Sequence, residues 1–416
     1  MKAFDVIIIG GGMVGSTAAI CLAKIGLQVA LIENHQPQSV KRTSFDQRAV
    51  ALSVASVTIY KTLGLWDCFE SIANPIKRIM VSDKGHSGLT RLEAAKHQLE
   101  DFGQVVSLDQ AGPELWKKLD EFGEIKVFCP ARVTQVNNNE NTCEVVVSHE
   151  NKEARLSAKL VLAADGTYSS TAESLNMDIE RKPYNQSAVI ANIKLSENHI
   201  DTAYERFTSG GPLALLPLKD NLMSLVWCHQ SDDCEQIMAL SDKEFIEKLQ
   251  KAFGYRLGRV EKVGKRFSYP LSLHLAKNPV AGRVLLTGNA AHTLHPIAGQ
   301  GLNLCLRDIA ALTDTLRESI LKQIDIGSSE VLSNFVATRQ KDWQQSILAT
   351  DGLARLFSQQ WLPVVLLRNK LMHHVNRLPF FKNRLVKSAT GYGSRASRLA
   401  RGLDVSFSVD LVKTGE

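Results

Sequence analysis

Hydrophobic positions change period several times along this chain, and each change marks a change of element. An unbroken apolar, β-branched run from Phe4 to Ile9 gives way to the glycines of Gly10–Gly15. A helical pattern follows from Met13 to about Ile25, then a second apolar run from Gln28 to Ile32. Runs without alternation predict strands buried on both faces, as in a parallel sheet covered by helices. From Arg132 to Ala164 short strand-like segments recur, ending in the apolar run Lys159–Ala164. Between Pro183 and His229 the pattern alternates, in Ala188–Ile193 and again in Leu222–Trp227. Alternation predicts antiparallel strands with one face turned to solvent or to a ligand. Gly282–Gly288 reads as another buried strand, running into a glycine-rich loop and then a helix with Leu302, Leu306, Ile309, Leu312 and Leu316 on one face. From about residue 346 the pattern is helical and amphipathic, broken at Pro363 and Pro379.

The expected fold class is α/β: a Rossmann-like dinucleotide-binding domain interrupted by a β-rich, α+β domain, with a helical C-terminal region. The dinucleotide-binding domain would be discontinuous, over 1–75, 100–180 and 276–345. The β-rich domain would take 76–99 and 181–275, and a basic helical region 346–416.

Composition narrows the class. A chain of 416 residues, 44% hydrophobic and 22% charged, is globular and long enough for two or three packed units. No apolar run approaches the roughly 18 residues of a membrane-spanning helix, and the early strand leaves no room for a signal peptide. Seven scattered cysteines without a CxxC pair argue against a disulfide framework or a metal site and for a reducing cytoplasm. The net charge of +6 is unevenly distributed. Between Asp351 and Asp404 there is no carboxylate, while Arg355, Arg368, Lys370, Arg377, Lys382, Arg384, Lys387, Arg395, Arg398 and Arg401 are all basic. Interleaved with Trp361–Leu367, Leu371, Leu378, Phe380 and Phe381, these cations fit the interface of an anionic membrane, peripheral to its cytoplasmic face. A solvated helical cap is the plainer alternative. Nucleic acid is not expected, because no aromatic-basic binding module occurs elsewhere.

Gly10-Gly-Gly12-Met-Val-Gly15 fits GxGxxG between a strand and a helix, and Glu33 ends the following strand. Gly10 permits the tight turn, Gly12 lets the backbone approach a pyrophosphate, and Gly15 lets helix and strand close up. The pyrophosphate would meet free N–H groups and the positive end of the helix dipole. Glu33 would accept hydrogen bonds from a ribose. Two further segments follow strands: Ala163-Ala-Asp-Gly-Thr-Tyr-Ser169, and Leu286 to Asn303, whose Gly299, Gln300 and Gly301 open a long helix. A helix N-terminus there suits a ring edge that gains negative charge on reduction, as an isoalloxazine does and a nicotinamide does not.

These three motifs in this order resemble the aromatic-ring flavoprotein monooxygenases typified by p-hydroxybenzoate hydroxylase. Within them the chain is most similar to the ubiquinone-pathway ring hydroxylases, in the branch acting on a 2-polyprenyl-6-methoxyphenol. The closer match lies in Ser82–His86, Gly103–Val106, Pro183–Asn192, Glu205–Thr208, Gly211–Ala214, Ser224–His229, Tyr269–Leu271 and Gly288–Asn303. Similarity runs from about residue 4 to about 370.

The resemblance implies FAD as cofactor, NAD(P)H as a transient reductant, and dioxygen and a polyprenylated phenol as substrates, with oxygen transferred from a flavin 4a-hydroperoxide. It also implies membership of a ubiquinone-biosynthesis complex. Carried over residue by residue, Gly10, Gly12, Gly15 and Glu33 would bind the ADP half of FAD. Arg48, in Asp46-Gln-Arg-Ala-Val-Ala-Leu52, would lie beside the diphosphate, and Gln104 would contact the flavin. Asp165 would lie near the pyrophosphate, and Pro296, Gly299, Gly301 and Asn303 would line the isoalloxazine. Two positions depart from the family pattern. Asn289 stands where an aspartate usually meets the ribityl chain, as in the methoxyphenol branch, and Ala172 stands where an arginine is common. No second GxGxxG exists, so a separate nicotinamide domain is not expected. For the proton relay to the phenol the candidates are His292, His295, Tyr184 and His229, with His295 preferred. Leu213, Leu215, Leu216, Leu225 and Trp227 would supply an apolar face for the polyprenyl tail; Arg206 and Phe207 belong to the same sheet. Other readings of the chain are a ring hydroxylase of another position, and a non-catalytic protein holding polyprenyl intermediates for partner enzymes.

Overall fold

A computed structural model describes residues 2–36, 48–149, 152–359 and 361–407; Asp46 and Gln47 of the arginine motif lie outside them. The apolar run at the N-terminus forms the strand Lys2–Ile9, the glycine turn leads into the helix Met13–Lys24, and the second run forms Val29–Ile32. Lys2–Ile9 lies between Val29–Ile32 and Lys152–Ala163, parallel to both, and Val284–Leu286 extends the sheet on the far side of Lys152–Ala163. Val6, Ile7, Ile8, Leu160, Val161 and Leu162 are fully buried, so helices and a β-hairpin layer cover both faces, as the uninterrupted hydrophobicity requires. Since these strands run parallel, Ile9, Ile32, Ala163 and Leu286 all end at one edge. That edge carries the three candidate motifs.

The second sheet is nine-stranded and chiefly antiparallel, built around the long strand Ile179–Leu195 between Leu222–Gln230 and Phe267–Ala276. Its register, with Val189 opposite Trp227 and Ala191 opposite Leu225, puts one set of alternating side chains against the helices Ser231–Ala239 and Asp242–Phe253. A third, small sheet joins Ala49–Ser53, Gly103–Ser107 and Asn74–Pro75.

Helix Gln300–Leu321 buries Leu306, Ile309, Leu312 and Leu316 in the main core, as its periodicity predicts. Past it the expected boundaries shift. One helix, Ser329–Ser358, runs straight through the boundary drawn at 345. The two prolines act as helix starts: Leu362–Arg377 and Pro379–Ala389 each open with a proline in the first turn, where a missing N–H costs nothing. Among the described residues beyond Ala389, up to 407, the expected helical pattern stops apart from a turn at Leu399–Arg401. Leu399, Ala400 and Val405 return to the main core, the turn lying against the helix Val54–Thr62, where Thr62 Oγ1 donates to the Leu399 carbonyl. Among the described residues, no helix is long and apolar enough to cross a membrane, and all seven cysteines are free.

Candidate functional site

The glycine turn is as tight as its spacing implies. Gly10 has φ +102°, and a Cβ there would strike the Ala164 backbone; a Cβ on Gly15 would strike the Gly10 carbonyl. Gly12 differs. It is the N-cap of Met13–Lys24, no side chain caps it, the first turn holds no acid, and its Cβ position is open. A free helix N-terminus without nearby negative charge fits a diphosphate. Glu33 braces the turn, its Oε2 accepting from the Gly11 N–H at 2.6 Å, while Trp116 Nε1 donates to the Gly11 carbonyl at 2.6 Å. Nothing in the sequence marked Trp116 for that role.

Asp165 accepts from the Thr171 N–H through Oδ2 at 3.1 Å, and its buried Oδ1 has no partner in the structure. A buried acceptor left open is costly unless a ligand supplies a donor. Gly288, at φ +63°, packs on Val14 of the first helix, which brings exposed Asn289 beside the glycine turn. Gly10, Gly12, Gly15, Glu33, Asp165 and Asn289 thus gather at one edge of the parallel sheet.

Arg48, Gln104, Gly299 and Asn303 form a second group around the small sheet. Arg48 is exposed and paired with Asp109 at 3.3 Å. Gln104, opposite Leu52, donates to Asp101 at 2.5 Å. Gly299, in the left-handed region at φ +60°, opens the helix Gln300–Leu321 with no side-chain cap and sits against Ala51; Gly301 has open space at its Cβ. Asn303 does other work than ring lining. Its Nδ2 donates to the Ala51 and Gly299 carbonyls at 2.8 and 2.7 Å, and its Oδ1 accepts from the Ser53 N–H and the Ser56 hydroxyl at 2.8 and 2.7 Å. The amide holds the helix start against the small sheet.

The loop from Gly288 to Gly299 joins the two groups and also reaches the second sheet. His292–Thr293 pairs with Leu275 and His274 as an edge strand of that sheet, and Thr293 Oγ1 lies 3.0 Å from Thr167 Oγ1 of the Asp165 loop. His292 is locked: Nε2 lies 3.0 Å from Asp308 Oδ2, and Asp308 Oδ1 accepts from Arg339 at 2.6 Å and Trp343 at 2.8 Å. Arg339 also meets Asp342, which pairs with Arg307 at 2.9 Å. Despite burial, the Asp308 side chain lifts the His292 imidazolium to a pKa of about 10. That ion pair commits His292 to the Asp308 network, whereas His295 keeps a nitrogen without a partner. Sequence reasoning missed this network, since its members are spread over 50 positions.

His295, 1% exposed, has Nε2 3.2 Å from Gln186 Oε1, so Nε2 carries the proton; Nδ1 is buried without a partner in the structure. Its ring stands edge-on to Tyr184 at 4.9 Å. Burial pushes the imidazole down to about 4, which leaves it neutral near pH 7 with one bare acceptor nitrogen. His229 shares the helix-side face of its strand with Trp227.

One expectation on the sheet needs correction. Leu213, Leu215, Leu225 and Trp227 are nearly inaccessible and pack under Phe245 and Leu249 of the covering helix, because residues of that parity face away from the loop. Of the five proposed tail-lining residues, Leu216 alone has the opposite parity, and it packs toward Ile76 and Phe102. Ala172 is buried among apolar neighbours.

One uncapped helix N-terminus at the carboxyl edge of the parallel sheet and a second against the small sheet, bridged by a loop shared with the antiparallel sheet, suit a flavoprotein of the α/β class. The chain belongs to the FAD binding domain family, whose pattern matches residues 3–345, and FAD is its cofactor. The chain is similar to the ubiquinone hydroxylase UbiL of Rhodospirillum rubrum, 34% identical over 97% of this chain and 94% of that protein. It is also similar to the 3-demethoxyubiquinol 3-hydroxylase of Escherichia coli, 29% identical over 93% of this chain and 98% of that one. Among solved structures, the p-nitrophenol 4-monooxygenase PnpA of Pseudomonas putida shares the fold. Its TM-score is 0.77 at 18% identity, covering 95% of this chain and all of that one.

Proposed function

We propose that the substrate of this FAD-dependent aromatic hydroxylase is a polyprenylated phenol, of the 2-polyprenyl-6-methoxyphenol type, on the route to ubiquinone. Relatives of nearly equal length named as ubiquinone-pathway hydroxylases support the substrate class. One structural observation carries the chemistry: a single segment, Gly288–Gly299, leaves the nucleotide edge, lends His292–Thr293 to the second sheet, and enters a helix at Gly299. A ring held on that segment has a nucleotide crevice on one side and an antiparallel sheet on the other.

FAD, when bound, accepts hydride from NAD(P)H and activates dioxygen. The chain's own residues would do the rest. The N–H groups after Gly12, with Arg48 at the other end, hold the diphosphate. Gly299 and Gly301 present backbone to the ring without side chains in the way, next to Pro296, and the Gly299 helix start offers positive potential to the reduced ring. His295 would accept a hydrogen bond from the phenol at Nδ1 while Gln186 fixes its tautomer, and burial of the imidazole keeps water from competing. The lipid-tailed phenol would be met at an anionic membrane surface or in an assembly with other enzymes of the pathway. Nucleic acid has no part in it.

A second reading, hydroxylation at another ring position, is favoured by the name of the E. coli relative, a 3-hydroxylase of a demethoxyubiquinol. Supplying purified holoenzyme with NAD(P)H, labelled dioxygen and a short-tailed 2-prenyl-6-methoxyphenol separates the outcomes. One labelled oxygen in the product ring supports the proposal. Reductant consumed with peroxide alone, while a demethoxyquinol is hydroxylated, moves the substrate to the second reading. A colourless protein without either activity leaves the non-catalytic binding protein.

A further inference from the structure

A helix that caps a soluble domain normally turns its apolar stripe inward and its polar face to water. Leu362–Arg377 does the reverse. The stripe that it turns inward is Val365, Arg368, Asn369, Met372 and Asn376, at helical spacing, and three of these five are polar. Each polar member is committed. Arg368, 2% exposed, meets both oxygens of buried Asp83 at 2.9 and 3.2 Å and donates to the carbonyls of Leu356, Phe357 and Gln359. Asn369 accepts the Gly88 N–H at 2.6 Å and donates to Asp83 at 3.0 Å. Asn376 accepts the Arg91 N–H at 3.1 Å and donates to the Leu89 carbonyl at 2.5 Å. These directional bonds to the hairpin 78–93 fix the rotation of the helix.

What that rotation leaves outside is apolar. Leu362, Leu366, Leu367 and Leu371 are 51–64% exposed, Trp361 just before them 68%, and Phe380 on the next helix 71%. Exposed Lys370, Arg384 and Lys387 lie on the same two helices, in a stretch from 352 to 403 without a single carboxylate. Isolated exposed leucines need no explanation, but a run of this size with cations and no acids does.

We infer that the outward face of Leu362–Arg377 and Pro379–Ala389 docks in the headgroup layer of an anionic lipid bilayer. The inference rests on the proposed reading of a lipid-tailed substrate and names the surface at which that substrate is met. Charge complementarity selects the occupant. A second copy of this chain would set cations against cations, whereas anionic headgroups neutralise them and the leucines enter the acyl boundary. The inner side of the same helix touches the ring loop: Met372 packs in one cluster with Ile297, and with Phe207 and Phe357, stacked at 3.6 Å. The docking face is therefore one helix away from the loop that would hold the flavin ring.

The test is sedimentation of the full-length holoprotein with vesicles of phosphatidylcholine alone and with about one quarter phosphatidylglycerol. The wild type should pellet with the anionic vesicles and less so as salt is raised. Leu366→Ser/Leu367→Ser/Leu371→Ser should lower the bound fraction roughly tenfold or more, with FAD absorbance retained. Should that variant lose its flavin, Lys370→Glu/Arg384→Glu decides in its place, and again a large loss of binding is expected. Three results overturn the inference: wild type left in the supernatant, a decisive variant that pellets like wild type, or a wild-type dimer that the serine variant converts to monomer while neither pellets. Vesicle binding by a protein that hydroxylates no phenol would sink the functional proposal and leave this one standing.

Discussion

Asp308 shows how much one side chain can organise. It receives His292 from the ring loop, Arg339 and Trp343 from the long helix, and belongs itself to the helix that begins at Gly299. Asp308→Asn would leave two buried cations short of a counter-charge, a change that costs about 3–5 kcal/mol when a buried pair is broken. We expect a clear fall in melting temperature together with weaker FAD retention; an unchanged melting curve would contradict this role. The pair also predicts a pH dependence. His292 has its folded pKa raised to about 10, so its stabilisation is complete below the unfolded value near 6.5 and is lost as pH rises through 10. Stability measured from pH 6 to 10 should decline in wild type, and the slope should be largely absent in Asp308→Asn. His295 has the opposite sign. Its pKa, lowered to about 4, makes it destabilising as pH falls from about 6.5 toward 4, where the unfolded chain binds the proton and the folded one resists it. His295→Ala should keep FAD yet lower product formed per reductant consumed by roughly 10²-fold, the lower range for a lost proton-transfer group. Coupling at the wild-type level would remove His295 from the reaction.

At the scale of elements, the glycine turn separates folding from binding. Gly15→Ala drives a Cβ into the Gly10 carbonyl, so both stability and FAD binding should fail. Gly12→Ala meets open space and lies at φ −67°, where alanine is at ease. That variant should melt within about 0.5 kcal/mol of wild-type apoprotein, the usual range for a surface change, while FAD titration should show affinity reduced at least tenfold. Equal losses in both variants would mean that Gly12 serves packing and leaves the diphosphate elsewhere. The turn was legible in the sequence because its constraints are local: four residues, one strand and one helix. The helix carrying Leu306, Ile309 and Leu312 was legible for the same reason. The tail-lining residues were not. Leu213, Leu215 and Trp227 read as one apolar face, but which side of the sheet that face covers depends on helices 231–239 and 242–253. Alternation gives two faces and does not say which is the ligand's.

At the scale of the molecule, three layers meet on the loop Gly288–Gly299: the parallel sheet behind it, the antiparallel sheet it joins through His292–Thr293, and the small sheet fixed to its helix by Asn303. Long-range pairing of this kind leaves little local trace. Asn303 was picked out by family likeness as a ring-lining residue, yet its four hydrogen bonds reach back some 250 positions as well as to Gly299. The C-terminal helices were read correctly as amphipathic and basic, but Arg368 counts there as an inward anchor on Asp83 and not as a surface cation. An amphipathic pattern assigns no direction until a partner is known, and here the partner is a polar hairpin. The central claim, that a flavin ring sits where Pro296 to Asn303 turns into its helix, is tested most directly by the crystal structure of the yellow holoprotein. The account predicts tricyclic density against Pro296, Gly299 and Gly301, with the diphosphate at Gly12; a flavin bound away from that loop, or a protein that crystallises without one after saturation with FAD, would contradict it.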